Sequence, residues 1–186
     1  MRVMIRACAG MAFATLIAAA ATAQSPTLVF LVRHAEKAAA PADNPPLTPA
    51  GEERARALAE VLEHASIGVI ITTPYARTRS TAAPIASLRG LTVETVAVAG
   101  GVAAHAQAVA AAVRRHSGKA VLVVGHSNTI TAIAAALGGP RLPDLCDEHY
   151  DQLFVLELPA TGEVRFARTH YGAPSPRGAC APMRSR

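Results

Sequence analysis

The apolar positions of this chain fall into short continuous runs that alternate with segments of helical period. Leu28–Val32 is an unbroken apolar run that stops at Arg33-His34, and it predicts a first strand. An Ala- and Pro-rich loop follows over Ala38–Leu47, and Thr48-Pro49 predicts a helix N-cap with proline at the first helical position. In that helix Ala55, Leu58, Ala59 and Leu62 fall at i, i+3, i+4 and i+7, with Glu52, Glu53, Arg56, Glu60 and Glu63 off the stripe. Gly68–Ile71 predicts a second strand, and "TTPYARTRSTAAPIASL" turns into a second helix. A third short strand is expected within residues 91–98. Val102, Ala106, Val109, Ala110 and Val113 then mark a third helix. Ala120–Val124 is a fully apolar fourth strand. A fourth helix presents Ile130, Ile133, Ala134 and Leu137 inward and stops at Gly138-Gly139-Pro140. Leu153–Leu158 and Val164–Arg168 read as two late strands around a Thr161-Gly162 turn, ahead of an extended tail over residues 173–186.

Alternating strands and helices of these lengths imply an α/β fold. The expected architecture is a three-layer α/β/α sandwich with a mostly parallel central sheet and late C-terminal strands. The chain has 186 residues, enough for one substantial core and too few for two. It has no tryptophan, so that core is assembled from Ala, Val, Leu and Ile. No internal repeat is present. In such sheets ligands bind at the carboxyl ends of the strands, which directs attention to the residues that follow each strand.

The first 23 residues follow a different pattern. Arg2 and Arg6 precede an apolar stretch over Ala7–Ala21, and Ala21-Thr22-Ala23 offers small residues at a cleavage site. This is the layout of a secretory signal peptide, with residues 24–186 as a single mature domain and a periplasmic or secreted location. The apolar part is shorter than the ~20 residues of a membrane-spanning helix, and no later segment is long enough to cross a bilayer. Cys146 and Cys180 are the cysteines left after cleavage, and in an oxidising compartment they suggest a disulfide tying the tail to the body. The net charge of +5 is modest and includes Arg2 and Arg6. No basic cluster with interleaved aromatics supports nucleic-acid binding.

Three strand exits carry unusual residues: Arg33-His34 after the first, Arg77 and Arg79 after the second, and Gly125-His126-Ser127 after the fourth. At ~100° per residue, Thr81, Ile85 and Leu88 cluster around the direction of Arg77, whereas Arg79 points to the opposite side. Arg77 is therefore the inward arginine. Two arginines and two histidines with no obvious carboxylate between them would form a cationic pocket suited to an oxyanion, and arginine forks fit phosphate in particular. Ser127, expected at the start of the fourth helix, would add backbone donors to the same field. No Walker loop, H-E-x-x-H motif or acidic pair at ligand spacing points to a metal or other cofactor. A neutral histidine can itself take a phosphoryl group, and neighbouring guanidinium charges favour the neutral form. His34 is the candidate nucleophile and His126 a second donor to the phosphoryl oxygens. His64, His105 and His116 fall in helices and read as solvated.

At these residues the chain resembles the histidine phosphatase superfamily, in its phosphoglycerate mutase-like branch. The matching segments are "LVRHAEK" (31–37), "LTPAGEERA" (47–55), "TTPYARTRSTA" (72–82) and "VVGHSNT" (123–129). The resemblance implies a phosphohistidine at His34, with Arg33, Arg77 and His126 completing the phosphate pocket. Ala35 stands where the family usually has glycine. The family's mutase-like members also carry a glutamate within a longer insertion, where this chain has a short stretch holding only Glu94. Glu36 is the first candidate for the general acid, with Glu94, Asp147 and Glu148 as alternatives. The leading expectation is an exported, metal-independent phosphatase acting on small phosphomonoesters. Two other readings are a phosphate-binding or regulatory protein without turnover, and a metal site built from His34, His126, His149 and His170.

Overall fold

The computed structural model describes residues 25–176. Its elements follow the order β1 (Thr27–Arg33), α1 (Pro49–Val61), β2 (Ile67–Thr72), α2 (Ala76–Arg89), β3 (Val93–Thr95), α3 (Gly101–Arg114), β4 (Ala120–Gly125), α4 (Thr129–Ala136), β5 (Gln152–Leu158) and β6 (Arg165–His170). They form a six-stranded sheet in the order β3-β2-β4-β1-β5-β6. The first four strands of that order run parallel, β5 is antiparallel to β1, and β6 is antiparallel to β5. The carboxyl ends of β1 to β4 therefore share an edge with the amino end of β5 and the carboxyl end of β6.

Strand alternation divides the core in two. Val29, Leu31, Val121, Val123, Phe154 and Leu156 pack with the inner faces of α3 and α4. Phe30, Val32, Leu122, Val124 and Leu153 pack on the other side with Leu58, Leu62, Ala82 and Ile85 of the α1 and α2 region. Successive strand residues point to opposite faces, so an unbroken apolar run serves both helix layers at once. Among the described residues, no helix is long and apolar enough to cross a membrane.

Several local expectations are refined. Thr48 caps α1, its Oγ1 accepting from Gly51 N at 3.2 Å, with Pro49 at the first helical position. The buried stripe of α2 comprises Thr78, Thr81, Ala82 and Ile85, and Leu88, expected to continue it, is 60% exposed. The helix stops one residue after Arg89 at Gly90, whose φ of 62° is the left-handed conformation glycine adopts at low cost. Leu88 faces away from the core while Ala86 of the same turn still packs against it. The fourth helix begins at Thr129, so Ser127 lies in a turn before it. His105, expected to be solvated, is 1% exposed. The many alanines of α3 let a broad face of that helix sit close to its neighbours, and the imidazole is enclosed with Ala106 and Val109. Residues 1–24 and 177–186, which include the expected leader and Cys180 of the expected disulfide, lie outside the described residues.

Candidate active site

Arg33 closes β1 and is 4% exposed. A buried guanidinium needs acceptors, and the segment before β5 supplies them. Nη1 donates to the carbonyls of Cys146 at 2.8 Å, Asp147 at 2.9 Å and His149 at 3.3 Å. The Tyr150 ring lies under the guanidinium at 4.1 Å, a cation–π contact. Nη2 is 3.4 Å from the Tyr150 hydroxyl and 3.8 Å from the Asp147 carboxylate. Nε is buried and has no partner among the described residues. Arg77, at the start of α2, repeats the pattern: its guanidinium stacks on Tyr75 at 4.3 Å and its Nε is buried and unpartnered.

His34 follows Arg33 directly, and its Nδ1 is 2.8 Å from the carbonyl of Ala35. A carbonyl only accepts, so Nδ1 carries the proton and Nε2 of the neutral ring keeps a lone pair. Burial is the main cause that holds the His34 pKa down at about 3. The Ala35 carbonyl bond works against it, and the charges of Arg33, His126 and Arg77 add to the lowering. His126 stands after β4, its ring 5.4 Å from that of His34 in an edge-on arrangement. Burial, then Arg77, His105 and Arg33, likewise lower its pKa to about 3. Its backbone N–H donates to Thr129 Oγ1 at 2.8 Å and its Nε2 is 3.2 Å from Thr73 Oγ1. Gly125 makes this turn possible, since a Cβ there would stand 2.8 Å from Thr129 Oγ1 and 2.9 Å from Ile130 Cγ2.

Arg33, His34, Arg77 and His126 are thus gathered at one edge of the sheet, close enough for both guanidinium charges to act on both imidazoles. Other residues singled out from the sequence stand elsewhere. The Ser127 carbonyl accepts from Leu145 N at 3.0 Å, and among the described residues no side-chain bond joins Ser127 to the four. Glu36 is held by Arg54, whose Nε is 3.0 Å from each carboxylate oxygen and whose Nη2 is 2.7 Å from Oε1. Glu94 pairs with Arg115 at 2.5 Å and His116 at 3.0 Å. The Asp147 side chain is 70% exposed beside Arg33, and Glu148 acts on Arg33 through its charge. Among the described residues, no group of His, Cys, Asp and Glu, His149 and His170 included, is arranged to hold a metal ion.

The sequence reading missed the residues that hold this cluster in place. Thr73, Thr78 and Thr81 are buried: Thr81 Oγ1 accepts from Ala35 N at 2.9 Å, and Thr73 bonds both Thr78 and His126. Helical spacing made the inward placement of Thr81 legible but not its partner, and the spacing of Thr73 and Thr78 was equally consistent with a polar surface face. Tyr150 and Arg54 carried no signal, because each acts on a segment distant in the chain.

A buried guanidinium, a half-buried one and two uncharged imidazoles at the carboxyl edge of a doubly covered sheet form a cluster whose charge and donors suit an oxyanion. Residues 29–98 match the model of the histidine phosphatase superfamily (branch 1), a span that holds Arg33, His34 and Arg77 and ends before His126. Over that span the chain is similar to the superfamily's model. Its fold is similar to that of the protein histidine phosphatase SixA complexed with tungstate, with a TM-score of 0.61 at 21% identity over 77% of this chain and 96% of the other. It is also similar to a putative phosphohistidine phosphatase SixA from Nakamurella multipartitia (TM-score 0.56, 25% identity, 81% and 99% coverage). YhfR from Bacillus stearothermophilus gives a TM-score of 0.60 at 20% identity, covering 76% of this chain and 95% of the other. No curated protein matches the sequence.

Proposed function

We propose that this protein is a phosphatase that hydrolyses small phosphomonoesters through a phosphohistidine on His34, without a metal ion. The observation that carries the reading is the pair of buried, unpartnered Nε atoms of Arg33 and Arg77 beside a His34 whose Nε2 bears a lone pair. Buried donors of this kind cost free energy unless a ligand accepts from them, and a tetrahedral oxyanion does so while its charge is balanced. In the first step the Nε2 lone pair forms a bond to phosphorus as the bond to the leaving oxygen breaks. In the second, water attacks the phosphohistidine, the P–N bond breaks and phosphate departs. The guanidinium groups hold the phosphoryl oxygens throughout, so charge that spreads over them meets fixed donors. The match to the superfamily model over residues 29–98 and the phosphatases among the similar structures support the same class of reaction.

The test is trapping. Alkaline quench during turnover of a labelled phosphomonoester should leave label on the wild-type protein and none on His34→Ala. Turnover that survives in His34→Ala would sink the reading. Binding of phosphate with no turnover of any phosphomonoester would favour a phosphate-binding protein instead. Export rests on the leader-like residues 1–23. Fractionation of cells expressing the full chain should recover a product beginning at Gln24 outside the cytoplasm, and a full-length cytoplasmic product would refute it.

A further inference from the structure

Three hydroxyl and imidazole groups behind the site fix more than an orientation. Thr78 Oγ1 lies 2.9 Å from the carbonyl of Tyr75 and 3.0 Å from that of Thr73. Carbonyls only accept, so the single hydroxyl proton of Thr78 goes to them. Thr73 Oγ1, 2.8 Å away, then donates to Thr78 Oγ1 and is left with lone pairs toward His126 Nε2 at 3.2 Å. A bond there requires the proton on Nε2. The neutral ring therefore has its lone pair on Nδ1, which no described residue bonds. In this tautomer His126 is an acceptor toward the phosphoryl group and cannot be the neutral donor expected from the sequence.

The carboxylates of the surroundings are otherwise occupied or exposed. Glu36 is held by Arg54, Asp151 accepts from Ser175 N at 3.0 Å, and Asp147 is mostly in solvent. A leaving alkoxide still needs a proton. We propose that His126 Nδ1 takes the proton of a bound phosphomonoester monoanion and delivers it to the leaving oxygen, with Thr73, backed by Thr78, as the positioning residue that sets the tautomer. This rests on the phosphatase reading and names the ionic form of the substrate. The step balances: the phosphoryl O–H proton moves to Nδ1, His34 Nε2 bonds phosphorus, the P–O bond breaks with its electron pair on the leaving oxygen, and Nδ1–H returns the proton there as the alcohol. A phosphorus at ~3–3.5 Å from His34 Nε2 stands next to the His126 ring, given the 5.4 Å between ring centres.

The groups around His126 agree with an uncharged resting state. Arg33 and His34 face it from the exit of β1, Tyr75 and Arg77 from the start of α2, and His105 from α3. None supplies a negative charge. The dianionic phosphoryl group left after proton transfer is the counter-charge that lets the ring carry its proton.

The experiment compares p-nitrophenyl phosphate, whose leaving group needs little protonation, with glycerol phosphate, whose leaving group needs much. His126→Gln should lower kcat/KM for glycerol phosphate about 10²–10⁴-fold, and at least about tenfold more than for p-nitrophenyl phosphate. Thr73→Val should show the same selectivity to a smaller degree, and Thr73→Ser should restore wild-type behaviour. Should His126→Gln fail to fold, Thr73→Val carries the test by itself. Wild-type kcat/KM should fall above about pH 6, where the monoester loses its second proton. Equal losses for both substrates, a profile flat to pH 8, or an Asp147→Asn variant that alone reproduces the selective loss would each overturn the assignment. A wild type that turns over neither substrate and takes no label on His34 would instead refute the phosphatase reading.

Discussion

Replacing Glu36 by glutamine separates two roles for this residue, a general acid or a structural tie. Three hydrogen bonds of 3.0, 3.0 and 2.7 Å join its carboxylate to Arg54. The far edge of the same guanidinium donates from Nη1 to the carbonyls of Tyr171 at 3.1 Å and Ala173 at 2.9 Å. Arg54 thus ties the loop after β1 to the segment after β6, and Glu36 neutralises it. The Glu36 side chain is 24% exposed, so the pair lies between a surface bridge worth about 0–1 kcal/mol and a buried one. Glutamine keeps one acceptor oxygen, and Glu36→Gln should cost about 1–2 kcal/mol. Arg54→Met leaves a carboxylate and two carbonyls unpaired and should cost about 3–5 kcal/mol. At about 2–4 °C per kcal/mol for a chain of this size, Tm should fall by about 2–8 °C and about 6–20 °C. Thermal melts run beside steady-state kinetics decide the matter. For Glu36→Gln the tie predicts a lower Tm and a kcat within about threefold of wild type. An unchanged Tm with kcat lowered about 10²–10⁴-fold would make Glu36 the acid and refute this argument.

Other consequences are equally direct. Gly51→Ala places a Cβ 2.2 Å from the Glu36 carbonyl oxygen, so the cap of α1 must shift; urea melts should show a loss of about 1–3 kcal/mol, and no loss would mean the contact is not as tight as described. His34 and His126 stay uncharged down to about pH 3 in the fold, whereas an unfolded histidine takes its proton near 6.5. The unfolded state therefore binds more protons between those values, and stability falls as pH drops below about 6.5, by up to about 1.4 kcal/mol per pH unit for each histidine. Urea titrations at pH 7 and pH 5 should show this decline and His126→Gln should reduce it by about half; equal stability at the two pH values contradicts the burial of neutral imidazoles. Arg33→Lys puts one ammonium nitrogen in place of a planar group whose Nη1 meets the carbonyls of Cys146, Asp147 and His149, whose Nη2 faces Tyr150 and Asp147, and whose Nε is left for a ligand. Hydrogen exchange over residues 146–150 should quicken and kcat/KM should fall about a hundredfold; a variant with native exchange and native kinetics would show that the fork is dispensable.

The order of elements was legible in the sequence because apolar runs and helical stripes are local patterns, and a strand buried on both faces has no polar side to obscure it. Strand ends were legible for the same reason, since Arg33-His34 and Gly125-His126 interrupt those runs abruptly. Arg77 was singled out from Arg79 by helical spacing within a few residues. Element boundaries were less clear: α4 opens at Thr129 and leaves Ser127 in a turn, and α2 exposes Leu88 after its buried stripe ends. What covers a residue in space does not register in its own neighbourhood.

By itself, then, the sequence determined an α/β chain with cationic and imidazole residues at successive strand exits, because backbone periodicity and side-chain chemistry are properties of short segments. Only the tertiary structure decided that Glu36 is claimed by Arg54, that the carbonyls of Cys146, Asp147 and His149 hold Arg33, and that Thr73 and Thr78 fix the proton on His126. Each of those facts is a hydrogen bond between groups that the fold brings together from separate elements or turns, and which donor meets which acceptor is set by the packing of the sheet against its helices and loops.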